Sequence, residues 1–291
     1  MLRSLGKLGI GLAQHDVNEI TETVLFLGFP SALHYAFHMS GSYKDSFQIF
    51  TPAQIASLRK GGNILHECLK HVAMLVKPGV QTGELDRVAE AFIRDHGALP
   101  GFKGYHGYAA TLCTSVNDVC VHGIPGKEKL REGDIVGIDC GVLYDGLYTD
   151  AALTVPVSRV SGKAERLLSA TQDALSLGLA EVRAGARTGN IGATIHKRLQ
   201  QDGFDSVRPL TGHGLGSTLH QFPDIPNFGT KGKGHVLRLH TIVAIEPIST
   251  AGSNDVTQDD DGWTLRTADG ALSAHFEHTV LVTEEGCEVL T

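Results

Sequence analysis

The sequence has no basic surplus, no disulfide spacing and no membrane-length apolar run, and each absence removes a class of function. Its 25 lysines and arginines are outnumbered by 32 aspartates and glutamates, for a formal net charge of -7 over 291 residues. A nucleic-acid binder needs excess cations to neutralise phosphates, so nucleic acid is not an expected partner. The longest basic cluster, "TKGKGHVLRLH" from residue 230, reads as a solvated loop. Cysteines are few: Cys68, Cys113, Cys120, Cys140 and Cys287 are odd in number and contain no CxxC pair. That usage fits free thiols in a reducing compartment better than a disulfide framework. The most apolar stretch, "TVLFLGFPSALHYAF", is interrupted by Pro30 and His34 and follows Asp16, Glu19 and Glu22, where a secretion signal would be basic. A cytoplasmic protein that does not enter a membrane is the expectation. What is present, 42% hydrophobic and 20% charged residues, suits a soluble chain able to bury a sizeable core.

Residues 1–50 carry no sustained period and are expected to form an N-terminal extension. Two readings of it stand open: a tail carried by the mature chain, or translation that starts at the internal Met39. The domain proper is expected over residues 51–291. Thr51 offers an N-cap, Pro52 occupies the first helical position, and Gln54 completes a capping box. Ile55, Leu58, Leu65, Cys68, Leu69 and Val72 then give a helical stripe, which Gly61 and Gly62 are expected to loosen.

Past residue 75 the chain repeats itself. "KPGVQTGELDRVAEAFIRDHG" (77–97) aligns without gaps onto "RAGARTGNIGATIHKRLQQDG" (183–203). In both, a Thr-Gly pair is expected to cap a helix that ends in glycine. Looser matches follow in the same order: "VHGIP" with "LHQFP", pairing His122 with His220, then "VGID" with "VAIE", pairing Asp139 with Glu246. A second acid follows in each half, Asp150 in "LYTDAAL" and Glu277 in "SAHFEHTVLV". The expected fold class is α+β: two related halves, helical then stranded, with acids and a histidine from each meeting at a central cleft.

The segment "DIVGIDCGVLYDGLYTDAAL" (134–153) places Asp139 and Asp150 among strand-forming residues. Asp145-Gly146 is a two-residue hairpin signal. It sets Gly141 opposite Asp150 and Asp139 opposite Ala152, so both aspartates share one face, their backbones roughly 7–8 Å apart. Alone, such a hairpin could carry two solvated carboxylates on an outer face. Glu246 in "TIVAIEPIS" and Glu277, each in apolar strands, argue against that reading. Buried carboxylates titrate or find a cation, and no lysine or arginine stands in these segments. His213, between glycines in "LTGHGLG", is either a turn residue or a fifth ligand. Four carboxylates and an imidazole suit two bridged divalent ions, with manganese, iron or cobalt ahead of zinc.

The motifs "GYHGYAATLCTSVNDVCVHGIP", "GIDCGVLYDGLYTD", "TGHGLG…LHQFP", "AIEP" and "SAHFEHT" together resemble the type I, bacterial-type methionine aminopeptidases, metallopeptidases of the pita-bread fold. The resemblance covers roughly residues 51–291. It implies that Asp139, Asp150, His213, Glu246 and Glu277 are metal ligands, with Asp150 and Glu277 bridging two ions. It implies that His122 and His220 contact the scissile amide and the intermediate, and that Glu246 doubles as the acid-base group. Tyr105, Tyr108, Cys113 and Trp263 would line the methionine pocket. Four positions depart from the pattern: Leu219 where an aromatic is common, Phe102 where a cysteine is, Gln221 in place of an acid, and His240 at a turn usually glycine. The acidic "SNDVTQDDDG" lacks the spacing of a calcium loop and reads as a solvated hairpin loop.

The implied activity is removal of the N-terminal methionine from nascent polypeptides near the ribosome, through hydroxide activated by the two ions, favouring a small second residue. The substrate's free α-amine, held at an ion, would confine cleavage to the first bond. A monomer is expected. A proline dipeptidase would use the same acids but needs a larger N-terminal domain than 50 residues supply. A non-catalytic binding module would be expected to lose ligands, and all five are present.

Overall fold

The computed structural model describes residues 46–291. Of the expected extension, residues 1–45, Met39 among them, lie outside the described residues. Helix α1 (Pro52–Ala73) starts as its sequence dictates: the Thr51 hydroxyl accepts from the Gln54 amide, and the Gln54 side chain accepts from the Thr51 amide. The core begins slightly upstream of that cap. Phe50 is only 2% exposed and its amide donates to the His240 carbonyl at 3.0 Å, while Phe47 meets Phe222 edge-on. Gly61 and Gly62 do not loosen α1, which is continuous. They let it approach its neighbours: a Cβ at Gly62 would stand 2.1 Å from the Leu290 carbonyl oxygen.

Helices α2 (Thr82–Asp95), α3 (Gly162–Ala180) and α4 (Thr188–Gln201) complete the helical layer of the described residues. The duplication seen in the sequence is physical. The residue before α2, Gln81, bridges to Lys129, and its counterpart before α4, Arg187, bridges to Val236. Gly79 and Gly185 donate to Leu130 and Leu237 in the same relation, and Gly97 and Gly203 both end their helices at positive φ. The threonines are not the caps, however. Gln81 and Arg187 hold the N-cap positions, and Thr82 and Thr188 are the first helical residues. Each threonine hydroxyl instead accepts a backbone N–H from the returning loop, Gly126 at 2.9 Å and His235 at 3.1 Å. The side chain is spent on tying helix to loop. "TKGKGHVLRLH" is mainly exposed, anchored by buried Leu237.

The strands that matter here are β1 (Leu112–Val116), β2 (Ile135–Tyr144), β3 (Leu147–Pro156), β4 (Thr211–Gly214), β5 (Gln221–Pro226), β6 (Ile242–Ile245) and β7 (Glu277–Val282). They belong to a nine-stranded antiparallel sheet in which β2, β3, β7, β6, β4 and β5 lie side by side, with β1 pairing β2. Two hydrophobic layers form between helices and sheet, one around Leu65, Leu85 and Ile138, the other around Leu167, Ile191 and Val280. The hairpin register is the predicted one. Asp145 (φ 52°) and Gly146 (φ 75°) make a two-residue turn with both residues left-handed, setting Gly141 against Asp150 and Asp139 against Ala152. No helix among the described residues is long and apolar enough to cross a membrane.

Candidate metal centre

Strand pairing alone brings the five proposed ligands to one face. Ala152 faces Asp139 on β2 and Glu277 on β7, so these acids form one row, with Asp150 two residues along the same side of β3. His278 pairs with Ile245, and continuing that register sets Glu277 against Glu246 just past β6. Gly214 pairs with Val243, which puts His213 level with Ala244, on the side of Glu246. Atomic contacts agree: one ligand atom from each of Asp150, His213 and Glu277 lies within 4.8 Å of the others, and His213 Nε2 is 3.4 Å from Glu246 Oε1. The glycines flanking His213 permit this approach, since a Cβ at Gly212 would meet the Ala244 carbonyl at 2.4 Å.

The electrostatics are those of a site made for cations. Burial pushes Asp139 up to about 7. Burial first, and neighbouring carboxylates second, hold Asp150, Glu246 and Glu277 well above the usual carboxylate range. Asp139 Oδ1, Asp150 Oδ1 and Glu277 Oε1 are buried without a hydrogen-bond partner among the described residues. Buried polar atoms are rarely left so, and an ion fills this need directly. His213 is prepared for the same role: its Nδ1 lies 2.9 Å from the Gly214 carbonyl, so a proton there leaves Nε2 free for a metal. Burial lowers its pKa to about 4, keeping the imidazole neutral at ordinary pH. The donor set fits divalent ions.

Around this face lies an apolar cup. Phe102, Tyr108, Ala110, Cys113 and Leu219 pack together, with Tyr105, Tyr148 and Trp263 against them. Trp263 meets Tyr108 edge-on at 5.0 Å, and His122 stands 6.4 Å from the same indole. His220 lies tilted against His213, ring centroids 4.2 Å apart, and approaches the Tyr105 hydroxyl through Nδ1 at 3.2 Å. Burial holds the Cys113 thiol protonated, the charge of Asp139 adding to the effect, so it acts as a small apolar wall.

The profile of metallopeptidase family M24 matches residues 56–284. The chain is 45% identical over 238 residues to the methionine aminopeptidase of Clostridium perfringens, covering 82% of this chain and 96% of that protein. It is 42% identical to methionine aminopeptidase 1 of Bacillus subtilis, with 83% and 97% covered. The chain belongs to family M24, among the bacterial methionine aminopeptidases. The crystal structure of methionine aminopeptidase from Thermotoga maritima superposes with a TM-score of 0.83 at 39% identity, covering 84% of this chain and 99% of that one. A prolidase from Pyrococcus furiosus, at 20% identity and a TM-score of 0.67, shares the fold alone. The fold is therefore the pita-bread fold, and the M24 protein is a metal-dependent aminopeptidase whose family uses divalent ions.

Sequence reasoning missed two residues of this M24 site. Tyr148 joins the cup, and His275 presents Nε2 to Glu246 and Glu277. The signal for His275 was there, two residues before Glu277 in "SAHFEHT", the spacing that returns a strand side chain to the same face. Of the departures, Phe102 and Leu219 both enter the cup. Phe102 lies over Gly141, where a Cβ would be 2.6 Å from its ring. Gln221 bonds Thr218 and Gln48, and His240 adopts the left-handed turn conformation (φ 60°) despite its Cβ.

Proposed function

We propose that this chain removes the N-terminal methionine from newly made proteins, using two divalent ions held by Asp139, Asp150, His213, Glu246 and Glu277. Asp150 and Glu277 would be the carboxylates common to both. The observation that carries the reading is the convergence, among the described residues, of partnerless carboxylate oxygens on one sheet face with no lysine or arginine paired to them. When bound, the ions supply Lewis acidity and a hydroxide source near neutral pH, and the oxygen-rich donors favour manganese, iron or cobalt.

The side chains do the rest. The cup of Tyr105, Tyr108, Cys113 and Trp263, extended by Phe102, Tyr148 and Leu219, suits an unbranched thioether, which fills irregular apolar space well. Glu246, its pKa raised by burial and by Asp150 and Asp139, takes up the proton released on attack and returns it to the leaving amine. Burial lowers His122 to about 4 and His220 well below its ordinary value, so both stay neutral, each ring nitrogen either donor or acceptor. His122 donates to the scissile nitrogen as it turns pyramidal in the tetrahedral intermediate, and His220 to the developing oxyanion. Preference for a small second residue, action on nascent chains near the ribosome, a monomeric state and a cytoplasmic location belong to the same proposal.

The test is a peptide panel. Protein stripped of metal and reloaded separately with manganese, iron or cobalt should release methionine from Met-Ala-Ser with a kcat/KM at least tenfold above that for Met-Trp-Ser. It should leave Xaa-Pro dipeptides intact. Preferential cleavage of Xaa-Pro dipeptides would assign the site to a dipeptidase instead.

A further inference from the structure

His275 lies where the chain steps from one sheet to another. It ends the short strand Ser273–His275, and β7 begins two residues later at Glu277, so both side chains reach the metal face. Its backbone is fixed from both sides by one residue. The Thr154 hydroxyl accepts from the His275 amide at 2.9 Å and donates to its carbonyl at 2.8 Å. His275 is 4% exposed, and its Nε2 has no hydrogen-bond partner among the described residues. That nitrogen stands 3.6 Å from Glu246 Oε2 and 3.7 Å from Glu277 Oε2. These separations are too long for hydrogen bonds. They come close to the edges of a coordination shell: donors about 2.0–2.1 Å from an ion, at tetrahedral to trigonal angles, lie roughly 3.3–3.6 Å apart. The expected ligand pair His213 and Glu246 shows a similar, slightly shorter spacing, 3.4 Å.

We infer that His275 is a further metal ligand, through Nε2, completing a Glu246–His275–Glu277 set for one divalent ion. The inference rests on the divalent-ion reading of the site. It adds a second imidazole to the centre, beside His213 with Asp150 and Glu277, in a set with Glu246 and Glu277. An added nitrogen in place of an oxygen or water moves that ion's site toward the later first-row metals.

The experiment uses the full chain loaded with cobalt(II) and proton NMR, which resolves the exchangeable imidazole N–H of each histidine bound to a paramagnetic ion. The expected result is two strongly shifted, solvent-exchangeable N–H lines in the parent protein and one in His275→Ala. His275→Gln, which keeps a polar side chain of similar reach, should likewise show one line, and serves if the alanine variant fails to fold. Calorimetry should show at least tenfold weaker binding of one ion in either variant. A parent protein with a single shifted line, or variants with unchanged ion affinity, would overturn the role of His275 and leave the five-ligand centre standing. A parent protein that takes up no divalent ion would overturn both.

Discussion

Asp139 illustrates how much a single residue's environment decides. Burial moves its carboxyl from an ordinary 3.8 to about 7 in the metal-free protein, and Asp150, Glu246 and Glu277 are raised as well. A cation needs these groups ionised, so below about pH 7 each binding event must displace protons. Ion affinity should therefore rise with pH from 5 to 7, by about tenfold per unit for each proton displaced, and the slope should ease as Asp139 ionises unaided. Calorimetry in two buffers of different ionisation enthalpy measures the protons released, and affinity that falls over this range would contradict the assignment. His122 calls for a different test. It is no ligand and sits at positive φ (61°) just past a short strand, so a role must show in turnover. His122→Ala should keep both ions and its melting temperature while kcat drops by about 10²–10³. Unchanged turnover with metal bound would make it a strand-end residue. The grouping of the four acids and the imidazole was legible because charge in apolar strands is costly and has few remedies. His275 was not singled out, because a histidine beside a ligand carries no such penalty.

Elements were readable where a local rule governs them. The Asp145-Gly146 turn fixed which carboxylates share a face, and the capping box at Thr51 fixed the start of α1. Glycine inside α1 misled, because its reason is tertiary: Gly62 lies against the backbone of Leu290. Two effects oppose each other on substitution. Alanine in a helix interior gains about 0.8–1.0 kcal/mol of propensity over glycine. Forcing a methyl into filled space costs about 1–3 kcal/mol, and here the obstacle is a carbonyl rather than a flexible side chain. The larger cost should win. Gly62→Ala is expected to lower the melting temperature by several degrees, and a rise in thermal denaturation would show that α1 shifts to make room. Thr82 and Thr188 teach the same point, their hydroxyls drawn away from capping by the loops that return beside them.

At the scale of the whole molecule, the duplication was visible as two aligned segments, and it recurs as paired bridges at Gln81 and Arg187. The strand order that sets β7 between β3 and β6 was not visible, because it depends on pairings between residues distant in sequence. The upstream edge also shifts: Phe50 is buried and Gln48 bonds Ser217 and Gln221 beside His220. A chain starting at Met39 should match the full chain in melting temperature and turnover. One starting at Thr51 loses Phe50 and should be less stable by about 3–5 kcal/mol, read by urea denaturation. Equal stability of the two truncations would mean that residues 46–50 add nothing to the fold. The central claim, that four carboxylates and His213 form a two-ion aminopeptidase centre, is tested most directly by titrating chelator-stripped protein with cobalt(II) or manganese(II) while following methionine release from Met-Ala-Ser. The account predicts no release without metal, recovery on addition, and saturation at two ions per chain, with Asp150→Asn impairing both ions together. Full peptidase activity in protein shown by elemental analysis to hold no metal would contradict it.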